Sequence, residues 1–196
     1  AYLAEADIHA DLAPGAGPVA MAPWGFSQVN PHTFSRIRLA VEQGTQLRIE
    51  YRSMRTPEPH TRTVEPHCLI QAGRRWHMRG YCLETSDFRD FVLGRIAKIT
   101  LLDQKVESTV AEDTKWNAVV KVRIQAHPKM TPGQQDLVRS EYFEGTAVRV
   151  HSCRGAMLPY LVQELRLALD ITKDVPPEYQ LAVENVDEVR KWLFPA

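Results

Sequence analysis

Hydrophobic and polar residues alternate in the central part of this chain, and this pattern predicts a series of short strands. Apolar side chains occupy every second position in Leu47–Tyr51, the period of a strand with one buried face. The alternation returns in 61–71 and 74–83, and Gly73 between them suits a tight hairpin. Residues 91–102 predict one bent strand or two short ones. Because closure removes exposed strand edges, we expect these antiparallel strands to form a small barrel.

The flanking segments predict helices and a second unit. Apolar spacing in 31–43 predicts a helix that ends at Gly44 and covers one open end of the barrel. Towards the C-terminus, strands and helices alternate, which predicts an α+β unit of ferredoxin-like character. Its predicted elements are a strand over 119–124, a helix over 132–141 with Leu137 and Val138 inward, a strand over 146–151, an amphipathic helix over 156–169 with Leu165 on the core side, a strand over 180–184 and a helix over 186–193.

Composition divides the chain into four parts. Residues 1–30 are rich in Pro, Gly and Ala and are interpreted as a linker that follows the end of an upstream helix. The barrel with its N-terminal helix occupies 31–104, a polar and acidic linker 105–115, and the C-terminal domain 116–196. Because the chain starts without Met, we expect a fragment or a processed form.

Charge and cysteine content limit the possible partners and compartment. The 196 residues carry no formal net charge, so the chain has no overall attraction to nucleic acid or anionic membranes. However, residues 48–98 hold ten basic and six acidic residues, a net charge of +4, so an anionic partner is expected to meet the barrel. Three cysteines without paired spacing indicate reduced thiols in a cytoplasm, and the sequence contains no signal peptide and no membrane span.

Motifs for metal binding and catalysis are missing from the sequence. The cluster His60, His67, Cys68, His77 and Cys82 matches no zinc spacing, and adjacent strand residues such as His67 and Cys68 face opposite sides. The chain has no nucleophile elbow and no phosphate-binding loop after a strand. We therefore expect neither an enzyme nor a metal or cofactor site.

The strongest candidate site combines arginines with aromatic residues. On the third strand, His77 and Arg79 are expected to share one face, with Trp76 and Met78 in the core behind them. Arg62 and Arg95 are expected to converge on the His77 side, across neighbouring strands. Arginine and aromatic side chains together are a common way to hold single-stranded nucleic acid. From spacing alone, the favoured alternative is that the arginines pair with acids on a solvated barrel wall. The candidate ligand-binding residues are Tyr51, Ser53, Arg62, Trp76, His77, Arg79 and Arg95.

Several of these residues lie in four motifs, which are Tyr51, Arg62-x-Val64-x-Pro66, Trp76-His77-Met78 and Phe91-Val92-Leu93-x-Arg95-Ile96. These motifs resemble the WYL domain family, which is named for a Trp-Tyr-Leu triplet that here would be Trp76-His77-Met78. The form present here, with Arg-Trp-His before an Arg-x-Tyr and a Phe-Val-Leu-x-Arg-Ile run, resembles the regulators of bacterial anti-phage islands of the BrxR and CapW type. The resemblance implies an Sm-like or SH3-like barrel that senses a ligand, followed by an α+β dimerisation domain. It also implies an N-terminal winged helix-turn-helix, which is absent from this chain.

Two functional hypotheses follow from these observations. In the first, the chain is the sensing region of a homodimeric transcriptional regulator, possessing a site for a nucleotide or oligonucleotide and meeting duplex DNA only through the absent helix-turn-helix. In the alternative, a small barrel binds RNA or single-stranded DNA directly, without regulation. The apolar residues Trp116, Leu193 and Phe194 are expected to be exposed and to support dimerisation. Arg79→Ala is expected to weaken ligand binding by about 1.5–3 kcal/mol while stability changes little, as for a solvated arginine.

Overall fold

The computed structural model describes residues 29–72 and 75–193 of the chain. Most of the predicted linker 1–30, the hairpin position Gly73 and the apolar residue Phe194 lie outside the described residues. The described part contains two sheets, each with its own hydrophobic core. Among the described residues, no helix has the length and apolar character needed to cross a bilayer.

The first helix, α1, spans Pro31–Gln43 and confirms the predicted helix. It begins at Asn30, whose side-chain oxygen accepts a hydrogen bond from the His32 N–H at 2.9 Å and so satisfies one of the unpaired N–H groups of the first turn. The helix ends at Gly44, where φ is 61°, a left-handed conformation that glycine adopts without a Cβ clash. Ile37 on its buried face packs into the first core.

Five antiparallel strands follow α1 and form the first sheet, in the order β4-β3-β2-β1-β5. The predicted alternation is confirmed in β1, where Leu47 and Ile49 are fully buried. The predicted closed barrel is wrong for the described residues, because β4 and β5 remain the two edges of the sheet. A short 3-10 turn, Leu93–Arg95, connects these edges, and its Leu93 is buried in the core. The strands are β1 Thr45–Tyr51, β2 His60–Ala72, β3 Arg75–Cys82, β4 Asp87–Val92 and β5 Ile96–Lys105.

A bulge in β2 sets the geometry of the first sheet. Pro66 lies opposite Gly80 and Cys68 lies opposite Arg79, so His67 is the extra residue of the bulge. A Cβ on Gly80 would lie 2.5 Å from the Glu65 carbonyl oxygen. Only glycine therefore allows β2 to approach β3 this closely, and the bulge redirects the His67 side chain.

The C-terminal unit contains a four-stranded sheet in the order β7-β6-β9-β8, with β8 and β9 parallel. This arrangement confirms a mixture of strands and helices, whereas the ferredoxin-like topology is not confirmed. Its core forms around Val122, Leu158 and Val189. The elements are α2 Thr114–Asn117, β6 Val119–Ala126, α3 Pro132–Tyr142, β7 Val148–Arg154, α4 Leu158–Glu164, β8 Leu167–Ala168, β9 Leu181–Val183 and α5 Val186–Val189.

Two predictions for the helices of this unit are wrong in detail. The predicted helix 156–169 contains only α4, because Arg166 has a φ of 46° and the chain then enters β8. Leu165, expected in the core, is exposed as a result. In α3, Val138 is 4% exposed as predicted, but Leu137 is 66% exposed, since only one side of this helix faces the sheet.

Candidate functional site

A cleft of about 1240 Å³ lies between the first sheet and the C-terminal unit. Strands β3 and β4 contribute His77, Arg79 and Asp90 to one wall, and α4 contributes Tyr160 to the other. Seven basic side chains line the cleft against three acidic ones, so its walls carry an excess of positive charge. The basic residues are Arg55, Arg75, Arg79, Arg89, Arg95, Lys115 and Arg166, and the acidic residues are Asp87, Asp90 and Glu164.

Four of the seven predicted ligand-binding residues, Tyr51, His77, Arg79 and Arg95, line this cleft. As expected, His77 and Arg79 lie on one face of β3, and Met78 lies in the core behind them. The role of these four residues in ligand binding stays a prediction.

The other three predicted residues lie elsewhere. Trp76 packs into the first core with its ring edge-on to Phe34, at a centroid distance of 5.1 Å. Ser53 accepts a hydrogen bond from the Thr56 N–H in the loop after β1. Arg62 lies directly opposite Ile49, a core residue, so it is on the sheet face opposite to that of His77. The expected convergence of Arg62 with His77 is therefore wrong.

Arg79 is a buried ion-pair residue rather than a solvated one. Its Nε donates to Asp113 Oδ2 at 2.6 Å and its Nη2 to Asp113 Oδ1 at 2.8 Å, a bidentate arrangement. Its Nη1 donates to Asp90 Oδ1 at 2.8 Å across the β3–β4 ladder. Only 3% of Arg79 is exposed. Burial by itself lowers the pKa of Arg79, but these bonds and charges outweigh it and raise the pKa, so the guanidinium remains charged.

Asp113 joins the supposed linker to the first sheet. The residue is 1% exposed, and one carboxylate oxygen accepts a hydrogen bond from the Trp116 N–H at 3.0 Å, which caps α2. His67 Nε2 lies 3.0 Å from its other oxygen. Burial raises the pKa of Asp113, but the bonds from Arg79, Trp116 and His67 lower it further than burial raises it.

A second buried carboxylate holds the beginning of the same segment. Glu65 on β2 accepts hydrogen bonds from the N–H groups of Glu107 at 3.0 Å and Ser108 at 2.8 Å. Segment 106–117 is therefore attached to the first sheet at both ends rather than being a solvated linker. Sequence reasoning missed Asp113, although an aspartate directly before α2 has the N-cap position that such residues prefer.

Tyr160 is a further cleft residue that the sequence did not indicate. Its hydroxyl donates to Asp90 Oδ2 at 2.8 Å, and its ring lies 4.8 Å from the His77 ring. Burial and the charge of Asp90 raise the pKa of Tyr160, so the hydroxyl remains protonated and can donate. Tyr160 thus connects α4 to the first sheet.

His77 is the buried centre of the cleft wall. It is 5% exposed, and its Nδ1 has no hydrogen-bond partner within the part of the chain that the structure describes. Burial lowers the pKa of His77, and the charges of Arg75 and Arg95 add to this effect while Asp90 opposes it. The imidazole is therefore neutral near pH 7 and offers a donor or an acceptor at Nδ1.

Two other surface features expected from the sequence are different in the structure. Trp116 is only partly exposed, because its ring lies 5.5 Å from that of His67 and 4.6 Å from the guanidinium carbon of Arg154. Leu193 packs against the second core.

In residues 29–72 and 75–193, no group of three or more His, Cys, Asp or Glu residues is arranged to hold a metal ion.

Comparisons with known proteins match both units. Residues 32–101 match the model of the WYL domain, and residues 119–189 match the model described as BrxR transcriptional regulator, C-terminal dimerization domain. Together these ranges include β1–β4, the first part of β5 and most of the C-terminal unit. The polar segment between them, which carries Asp113, belongs to neither match.

Individual relatives agree with these matches. The DNA-binding transcriptional repressor CapW of Pseudomonas aeruginosa is 35% identical over 174 residues, which cover 88% of this chain and 58% of that protein. CapW of Escherichia coli strain KTE188 is 32% identical over 88% of this chain and 57% of its own length. The chain thus spans less than two thirds of these relatives. The match to the solved structure of proteasome accessory factor B/C of Arthrobacter aurescens covers 85% of this chain and 27% of that chain, at 22% sequence identity. Its TM-score of 0.40 is too low to support an argument. This chain thus combines a WYL domain, over residues 32–101, with a C-terminal domain of the BrxR type, over residues 119–189.

Proposed function

We propose that this chain is the ligand-sensing and dimerising region of a bacterial transcriptional repressor that responds to a nucleotide or single-stranded nucleic acid. The observation that carries the proposal is the cleft between the two units, with its excess of positive charge and its buried, neutral His77. The names of the relatives support the regulatory part, since they are DNA-binding transcriptional repressors.

The arginines at the cleft support the choice of an anionic ligand. Arg75 and Arg95 line the cleft, and neither has an ion-pair partner within 4.0 Å among the described residues. His77 lines the same cleft, and the charges of both arginines contribute to lowering its pKa. Guanidinium groups without a carboxylate partner suit phosphate oxygens, which accept two parallel hydrogen bonds.

Aromatic side chains in the cleft support a nucleic-acid ligand over a simple inorganic anion. Phe88, Tyr160 and Trp192 all line it. Bases stack on aromatic side chains while arginines hold the backbone, and this combination tolerates many sequences. The Nδ1 atom of His77 adds one polar group that can form a hydrogen bond with a base edge.

In this proposal, residues 119–189 form the homodimer, and a helix-turn-helix outside residues 1–196 contacts the operator. Two half-sites on a duplex require a two-fold axis, which a dimerisation domain supplies. The resemblance to BrxR and CapW suggests that the controlled genes belong to anti-phage defence. The repressor would act in the cytoplasm, without enzymatic activity.

Titration with a fluorescent single-stranded oligothymidylate of about ten nucleotides tests this proposal, since one such site holds on the order of ten nucleotides. Arg75→Ala and Arg95→Ala are each expected to weaken binding about tenfold, the usual effect of losing a charge-assisted hydrogen bond. Arg149→Ala, an exposed arginine of β7 outside the cleft, is the matched control and should bind like the wild type. Equal losses in all three variants would indicate non-specific attraction and contradict a cleft site.

The same titration separates sensing from direct nucleic-acid binding. A sensing cleft has a limited site, so affinity should reach a plateau once the oligonucleotide fills it. If affinity continues to rise with oligonucleotide length, the alternative of a sequence-independent nucleic-acid-binding protein is favoured.

A further inference from the structure

Four side chains form a continuous line of hydrogen bonds from α4 to segment 106–117. Tyr160 donates to Asp90 Oδ2 at 2.8 Å, and Arg79 Nη1 donates to Asp90 Oδ1 at 2.8 Å. The other edge of Arg79 donates twice to Asp113, at 2.6 and 2.8 Å. Asp113 in turn accepts from the Trp116 N–H at 3.0 Å. Each carboxylate thus accepts a hydrogen bond from a neighbour on both sides.

The chemistry of this line makes its bonds interdependent. Arg79 and Asp113 are almost completely buried, and Asp90 is nearly so. A buried charge that loses its partner is costly, so we expect that breaking one bond of this line weakens the others. The guanidinium is planar and rigid, so a rotation that follows Asp90 on one edge also moves the edge that holds Asp113.

The line passes through the wall of the cleft. His77, Arg79, Asp90 and Tyr160 all line it, and the Tyr160 ring lies against His77, whose Nδ1 has no partner among the described residues. A ligand that reaches His77 through the cleft would press on the Tyr160 ring, which lies against His77. An anionic ligand beside Asp90 would also repel that carboxylate. Either event acts on the hydroxyl–carboxylate bond at the beginning of the line.

We propose that Asp90 and Arg79 form a relay between α4 and segment 106–117, so that a ligand in the cleft changes the order of both elements together. In this relay Arg79 is a positioning residue that acts through Asp113, instead of a phosphate ligand. Segment 106–117 runs directly into β6, the first strand of the matched dimerization domain, so the relay offers a path from cleft occupancy to the dimer. The relay exists in the ligand-free chain, whereas its response to a ligand rests on the proposed function.

The first test compares hydrogen exchange at the Trp116 amide in the wild type and in Tyr160→Phe, without ligand. The variant loses only the hydroxyl that bonds to Asp90 and retains the ring on His77. We expect exchange at Trp116 to become about threefold faster or more, the coupling typical of one hydrogen-bond network. Tyr142→Phe, a tyrosine of α3 outside the relay, is the matched control and should leave Trp116 unchanged. If exchange in Tyr160→Phe changes only within 158–164, the relay is refuted.

The second test repeats the measurement with saturating single-stranded oligothymidylate, so that differences in affinity do not matter. In the wild type, the oligonucleotide should change exchange both in α4 and at Trp116. In Tyr160→Phe the change at Trp116 should disappear, while the change at the cleft strands β3 and β4 remains. A retained change at Trp116 in the variant contradicts the relay. If the oligonucleotide does not bind the wild type, the proposed function fails, and the ligand-free comparison still decides the relay.

Discussion

Arg79 shows how one residue can have different roles depending on its surroundings. Alternation along β3 correctly predicts its face, and an arginine on that face is compatible with a phosphate ligand. Burial to 3% exposure and three hydrogen bonds to Asp90 and Asp113 make it a structural ion-pair residue instead. A group that already donates three of its five N–H groups has little left for a ligand.

Replacing Arg79 should therefore destabilise the chain. In Arg79→Ala, Asp113 remains buried without its charged partner, so we expect a loss of about 3–5 kcal/mol of unfolding free energy. Urea or guanidinium unfolding measures this loss. Arg62→Ala is the control, since among the described residues Arg62 hydrogen-bonds only to the neighbouring Thr61 carbonyl, and it should cost less than about 1 kcal/mol. A loss in Arg79→Ala as small as in the control would show that Arg79 is solvated after all.

His77 should make stability depend on pH in the weakly acidic range. Burial lowers its pKa in the folded state below the usual 6.5, with contributions from nearby charges. As pH falls through about 6.5, His77 takes up a proton in the unfolded chain but not in the folded chain. The free energy of unfolding therefore decreases below about pH 6.5. Near pH 7.5 both states are neutral and this contribution vanishes.

Thermal melts of the wild type and His77→Phe at about pH 7.5 and about pH 5.5 measure this effect. The drop in Tm between the two pH values should be smaller in His77→Phe, which has no group to protonate at this position. His151→Phe on the exposed strand β7 should keep the wild-type drop. An identical drop in wild type and His77→Phe would mean that other groups produce the pH dependence.

At the scale of elements, the β2–β3 pair depends on a close backbone approach at Gly80. A Cβ there would meet backbone atoms of Glu65 and Pro66 at 2.5–2.9 Å, and backbone cannot rotate out of the way. The bulge at His67 in the same pair turns this side chain towards Asp113. The register of the β2–β3 pair therefore helps to place His67 and Arg79 around Asp113.

Gly80→Ala should separate β2 from β3 and cost more than about 2 kcal/mol of unfolding free energy, with loss of exchange protection along both strands. Gly133→Ala is the matched control, because nothing lies within 4 Å of a Cβ there and the position is in α3. That control should be neutral or stabilise by about 0.5–1 kcal/mol, since alanine favours helix. Equal stability of the two variants would contradict the close approach at Gly80.

For the whole molecule, the expectation of a dimer now has a different basis. Trp116 and Leu193 pack against other residues of the chain, so they do not form the exposed apolar surface that the sequence suggested. The match of residues 119–189 to a dimerization domain supports the dimer instead. We expect sedimentation of the chain to show a dimer at micromolar concentration, and a monomer well above that concentration would contradict it.

Local periodicity is sufficient to predict α1, the first strands and the composition of the C-terminal unit, because those elements depend on neighbours in sequence. Asn30 caps α1, Gly44 ends it, and alternation in β1 places Leu47 and Ile49 in the core. For the candidate site, the same alternation places His77 and Arg79 on one face of β3.

The tertiary structure decides everything that depends on distant partners. Sheet pairing rather than local spacing decides three features of the fold. These are the open edges β4 and β5, the early end of α4 and the use of 167–168 as a strand. Arg79 and Asp113 are 34 positions apart, and Asp90 and Tyr160 are 70 positions apart. A pattern of polar and apolar residues indicates which side of a strand faces away from the core. It does not indicate whether water, a ligand or a carboxylate from another element covers that side, because that depends on how the two units pack.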